Sequence, residues 1–174
     1  LKILNSRNIN YKKTILFWNS GGGGCPDLIN FDGVISTSME LRGYQTHAVI
    51  FDGSYKAYIN KDIYTGLEFN NSNKNSIIDC KATKSLIKHF GIKFTKFGDY
   101  LTDDCIKQAI CIAEKVNYDD LDEFKFSGLP IGEYIKSSLV RYLMGNEYNQ
   151  SHKSILKEFC YTAIIQAIVI SNVI

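Results

Sequence analysis

The chain lacks an excess of charge of either sign, paired cysteine motifs and any apolar run long enough to span a bilayer. Its 20 basic and 18 acidic residues are scattered and leave a formal charge of +2. That pattern offers neither a basic stripe for nucleic acid nor a polybasic patch for a membrane. The five cysteines, Cys25, Cys80, Cys105, Cys111 and Cys160, are odd in number and show no C-x-x-C spacing. With no secretory n-region and h-region opening the sequence, they are expected to be reduced thiols in a cytoplasmic protein, mostly buried and without a metal. The most apolar stretch, Ala163 to Ile174, contains Gln166, Ser171 and Asn172. It is too short to cross a bilayer of roughly 30 Å, and a buried helix is expected there instead of a transmembrane segment.

Repeats and domain linkers are also absent. At 174 residues, with 45% hydrophobic and 22% charged residues, the composition is that of an ordinary soluble protein, and one compact domain is the default. Residues 1–12 read as a polar lead and 13–174 as the domain. The chain begins at Leu1 and stops inside its apolar last helix without a cap, so the expectation is a piece of a longer protein.

What is present begins with a βαβ unit. Thr14 to Trp18 (TILFW) is a short continuous apolar run, as expected of a strand covered on both faces. Asn19, Ser20 and four glycines follow it. Asp27 to Arg42 carries Leu28, Phe31, Ile35 and Met39 at helical spacing, with Val34 and Leu41 beside them. This reads as an amphipathic helix, weakened by Gly33 and stopped at Gly43. Thr46 to Phe51 is a second strand closed by Asp52 and Gly53, and a strand, helix and strand in this order require a parallel pair.

Further on, Ser54 to Lys61 is a short helix candidate, and Asn70 to Ser76 (NNSNKNS) is the most polar stretch and an expected exposed loop. Ile77 to Phe90 reads as a second crossover helix ended by Gly91, and Ile92 to Phe97 as a third strand. Helices are then expected from Thr102 or Asp103 to Lys115, from Ile131 to Met144 after Pro130, and from Ser151 or His152 onward. The fold class is therefore α/β, a Rossmann-like parallel sheet of three or four strands flanked by helices with a helical C-terminal portion. Three strands followed by three helices leave a further strand missing, which agrees with a fragment.

Chemistry concentrates at the ends of the strands. Gly21, Gly22, Gly23 and Gly24 lie between a strand and a helix, where backbone N–H groups and the helix N-terminus converge on one place. Such a nest suits phosphate, and the alternative is a flexible turn. The dinucleotide fingerprint fails because Pro26 stands where its third glycine belongs, which disfavours NAD. Asp52 is placed to accept from a sugar hydroxyl pair or simply to form an Asp-Gly turn. Lys56 is placed to neutralise a phosphate or to stay solvated. Asp99, at the third strand's end, is the candidate general base.

Cys25 is the reactive candidate, since a helix N-terminus lowers a thiol's pKa. His47 reads as structural, His89 lies at a helix end and His152 near a cap. No hydrolase triad lines up. The acidic run Asp119, Asp120, Asp122 and Glu123 reads as a solvated face.

The segments ILFWNSGGGG, MELRGYQTHAVIFDGSYKA, FGIKFTKFGDYL and GEYIKSSLVRYLMGN resemble the N-terminal half of bacterial surface-polysaccharide glycosyltransferases, which are similar to the GT-B group. The resemblance spans most of the chain. It implies half of a two-domain architecture, in which this half holds a glycan or lipid-linked acceptor and a C-terminal half holds the nucleotide sugar. Transfer would need no metal or cofactor, the nucleotide sugar being a substrate. Asn19, Ser20, Gly21 to Gly24, Asp52 and Lys56 would bind substrate, with Asp99 as base. The last helix would pack on the missing domain or a partner chain, in the cytoplasm, with attachment to the inner face of the membrane left open.

Two departures matter. Some GT-B enzymes have a histidine directly after the glycine loop, where this chain has Cys25 and Pro26, and Thr83 stands where related chains carry a second cysteine after the one matching Cys80. The competing reading, from another class, is a non-catalytic α/β binding or assembly module.

Overall fold

The computed structural model describes residues 13–19, 26–52, 54, 83–85 and 87–173. Those up to Asp99 belong to one compact unit and those from Tyr100 onward to a second. The helix candidate over 55–61, the polar loop at 70–76, Cys80 and the start of the second crossover helix lie outside the described residues.

In the first unit β1 (Thr14–Asn19), β2 (Gln45–Ile50) and β3 (Lys93–Lys96) form one sheet in the order β1-β2-β3. Both pairings are parallel, with Phe17 opposite Ala48 and Ala48 opposite Phe94. α1 (Pro26–Leu41) joins β1 to β2, and helical residues at 83–85 and 87–89 precede β3. Both helices end as their glycines require. Gly43 and Gly91 take positive φ, and the following amides of Tyr44 and Ile92 reach back to the carbonyls of Met39 and Ile87. The core of this unit lies between the sheet and these helices, around Ala48, Ile50, Ile87 and Ile92, with Phe17, Phe90 and Phe94 packed against it.

Three expectations change here. Among the described residues β1 lies at the edge of the sheet, and Leu16 is exposed on it; the strand covered on both faces is β2, where Ala48, Val49 and Ile50 are all buried. β3 ends at Lys96, because Phe97 begins a 3-10 turn (Phe97–Tyr100). Most consequentially, α1 does not lay its apolar stripe on the sheet, and Phe31, Val34, Ile35 and Leu41 are exposed. Its inward side carries Gly33 and Ser36. A Cβ on Gly33 would stand 2.3 Å from the Phe90 ring, and the Ser36 hydroxyl donates to Thr46 on β2. Close approach at Gly33 and hydrogen bonding at Ser36 hold this part of the helix to its unit.

The second unit contains α2 (Asp103–Ala113), α3 (Ile131–Tyr142) and α4 (Lys153–Val173), with α2 and α3 both packed on α4. Thr102 caps α2 as expected, its hydroxyl accepting from the Cys105 amide, and Pro130 immediately precedes α3. α4 follows a short 3-10 turn (Gln150–His152) capped reciprocally by Asn149 and His152. Leu156, Cys160, Ile164, Ile165 and Val169 on α4 are fully or almost fully buried, as are Leu121, Ile135 and Leu139.

The apolar run from Ala163, too short on its own to cross a bilayer, continues a longer helical stretch, Gln150–Val173, that is long and apolar enough by length and composition, and 44% of its most apolar window is buried inside the protein. Between α2 and α3 a two-residue hairpin turn joins Phe126 to Leu129 through a reciprocal pair of backbone hydrogen bonds. Ser127 and Gly128 both take positive φ, the geometry that a tight hairpin of this type demands.

Candidate functional site

The carboxyl ends of parallel strands are where open α/β sheets collect ligands, because the strand ends and helix N-termini there leave a crevice lined by loops. In this chain that edge is formed by Asn19 at the end of β1, Phe51 and Asp52 after β2, and the Phe97–Tyr100 turn after β3. Three aromatic rings cluster at that edge. Phe97 is fully buried, its ring centroid 4.7 Å from that of Trp18 and 6.1 Å from that of Phe51.

At the same edge two carboxylates are held by backbone. One Asp52 oxygen, Oδ1, accepts from the Ser54 amide at 3.2 Å, so the turn-forming role foreseen for this residue is present. The other, Oδ2, faces Gly98, where a Cβ would come within 3.1 Å of it. Asp99 is exposed, and its Oδ2 accepts from the Lys96 amide at 2.8 Å. The structure thus brings Asp52 against the residue preceding Asp99, so that the ends of β2 and β3 meet at one polar place.

Ser54 completes it. Its hydroxyl oxygen is buried and has no hydrogen-bond partner among the described residues, and a Cβ on Gly98 would lie 3.1 Å from its Cβ. Gly98 and Ser54 had no place among the residues singled out from sequence. The available signal was a glycine directly after an aromatic strand end, FGD, which marks a backbone that another segment must approach closely.

Of the other candidate binding residues, Asn19 is described as the last residue of β1. Ser20, Gly21, Gly22, Gly23, Gly24, Cys25 and Lys56 lie outside the described residues.

His47 lies within β2, its Nε2 3.0 Å from the Thr95 hydroxyl, and burial followed by the Lys93 charge holds its pKa below the ordinary value. Among the described residues no group of histidine, cysteine, aspartate or glutamate side chains could hold a metal ion.

The expectation of buried thiols needs one correction. Cys160 is buried, but Cys111 is exposed and Cys105 half-buried, because α2 turns Ala109 and Ala113 inward and position 111 falls on another side. Asp119, Asp120, Asp122 and Glu123 are exposed. Asp122 pairs with Lys136 at 2.6 Å, and Asp120 accepts from Asn117 at 3.0 Å.

No protein-family model, curated protein or solved structure matches this chain.

Proposed function

We propose that this chain is the acceptor-side domain of a GT-B-like glycosyltransferase that builds cell-surface polysaccharide. A sugar would pass from a nucleotide sugar to a glycan or lipid-linked acceptor without a metal. The observation that carries the reading is the polar cradle on the carboxyl edge of the parallel sheet. There a fixed carboxylate, Asp52, stands next to a buried serine hydroxyl without a partner and opposite a glycine. A sugar hydroxyl can donate to that carboxylate and accept from that serine, which would remove the cost of an unpaired buried polar atom.

In this reading Gly21 to Gly24, with Asn19, Ser20 and Lys56, hold a phosphate of the acceptor or approach the donor diphosphate. Asp99 keeps one carboxylate oxygen for the acceptor's proton, since the other is taken by the Lys96 amide. The nucleotide sugar is held by a C-terminal half or a partner chain, in the cytoplasm or at the inner face of the membrane.

The test is a titration of the intact protein with nucleotide sugars and with a soluble phosphorylated acceptor analogue, followed by amide NMR. The Gly21 to Gly24, Asp52 and Ser54 amides should shift. Asp52→Asn, which can keep the oxygen used in the turn, should weaken binding by about tenfold without unfolding the protein. If neither ligand class shifts these amides, the reading is wrong.

A second reading is favoured by a different observation. The outward apolar side of α1 suits a non-catalytic binding or assembly module. Assembly without any response to sugar ligands would select it.

A further inference from the structure

α1 covers the sheet with its small and polar side and presents hydrophobic residues outward. Phe31, Val34, Ile35 and Leu41 are 67, 62, 46 and 59% exposed, whereas Gly33 and Ser36 are buried. A surface helix normally does the reverse. The four side chains leave roughly 400 Å² of contiguous apolar surface in water, within the range at which such patches mark interaction sites. Beside them an apolar groove runs between α1 and the helical turn before β3, with Val34, Ser38 and Leu41 on one wall and His89 and Phe90 on the other.

We infer that a second copy of this chain covers this stripe, α1 against α1, antiparallel about a two-fold axis. The spacing of Phe31, Val34, Ser38 and Leu41 alternates three and four residues, the seam of two paired helices. The shape is self-complementary. With the axis passing between Ser36 and Thr37, Ile35 of each copy projects onto the small Ser38 of the other, and Phe31 of each reaches the Leu41 end, beside the groove. A contact in which residue i meets j and j meets i closes at two copies.

The charges agree as well. Arg42 lies along the stripe, donating to the Ser38 hydroxyl at 2.7 Å. In the antiparallel pair each Arg42 leaves Ser38, clearing it for Ile35, and turns to the exposed ring of Phe31 and the Asp32 carboxylate of the other copy, while each helix C-terminus meets an N-terminus. A bilayer fits poorly, since α1 carries Asp27, Asp32 and Glu40 and Arg42 is the one basic residue between positions 14 and 46, whereas helices that lie on anionic membranes are rich in lysine and arginine on the polar face. The stripe supplies about half of the roughly 800 Å² per partner that a stable interface buries, and the groove walls and Arg42 extend it.

Sedimentation velocity of the full chain from about 1 to 100 µM should show a monomer–dimer equilibrium shifting by mass action. Ile35→Asp and Leu41→Asp, both at exposed positions, should each raise the dissociation constant roughly 30-fold or more with an unchanged far-ultraviolet circular dichroism spectrum. Amide exchange of residues 31 to 42 in the wild-type chain should slow as its concentration rises, a readout that needs no variant. A monomer throughout the range, a dimer indifferent to both substitutions, concentration-independent exchange in this segment, or a monomer that cosediments with phosphatidylglycerol vesicles would each overturn the proposal.

Discussion

Ser36 on α1 and Thr46 on β2 are joined by a buried hydrogen bond of 2.8 Å, the serine hydroxyl donating. The Thr46 hydroxyl in turn donates a hydrogen bond to the Glu40 carboxylate on α1. This chain of three side chains ties α1 to the sheet through hydrogen bonds. Thr46→Val keeps the volume but leaves the Ser36 hydroxyl and one Glu40 oxygen without partners, and should cost about 1 to 3 kcal/mol in urea unfolding. Ser36→Ala removes only the first link and should cost about 1 kcal/mol.

Gly132 opens the buried side of α3 where the chain folds back from Leu121. Its amide donates to the Phe124 carbonyl, and a Cβ there would stand 1.9 Å from the Leu121 carbonyl oxygen. Backbone cannot swing aside as a side chain can, so Gly132→Ala should destabilise the helical unit by about 3 kcal/mol. Gly128→Ala is the control. It meets open space, pays only for its positive φ, and should cost about 1 kcal/mol in the same thermal melts.

The three described cysteines should separate under alkylation of the native protein read by peptide mass spectrometry. Burial pushes the Cys160 thiol up to about 12, so it should label only on unfolding. The Thr102 hydroxyl donates to the Cys105 sulfur at 3.2 Å and holds that thiol below its ordinary value. Cys105 should therefore label readily near neutral pH, as the exposed Cys111 should through access alone. Thr102→Val should slow labelling at Cys105 and leave Cys111 unaffected.

His47 makes stability depend on pH in a definite direction. Its pKa in the folded protein is lowered from 6.5 by burial and by Lys93, so the unfolded chain takes up the proton first. The stability it confers is complete above about pH 6.5 and is lost as pH falls from there through the lower pKa of the folded state. Between about pH 7.5 and about pH 5.5 the urea midpoint should therefore fall further for the wild-type chain than for His47→Gln.

Much of the architecture could be read from local pattern because its causes are local. Two apolar runs flanking a helical repeat define β1, α1 and β2. The positive φ of Gly43 and Gly91, the Thr102 cap and Pro130 before α3 each act within a few residues of themselves. Other features depend on what lies opposite. Periodicity marks the apolar side of α1 but not which side meets the sheet, and that was decided by Gly33 against Phe90 and Ser36 against Thr46. An apolar run such as TILFW does not distinguish an edge strand from a central one. At the candidate site, Asp52 and Asp99 were legible as acids after strands. Ser54 and Gly98 were not, because their meaning lies in the apposition of two chain segments far apart in sequence.

The strand order carries a consequence for how that site comes into being. β1 and β2 are joined by a single helix, so they can pair early and at small entropic cost. β3 must return across the longer excursion of residues 51 to 92 before it pairs with β2. Asp52 therefore meets Gly98 only when the last strand docks. The polar cradle exists only once β3 has docked on β2, and a ligand bound there would hold that pairing closed.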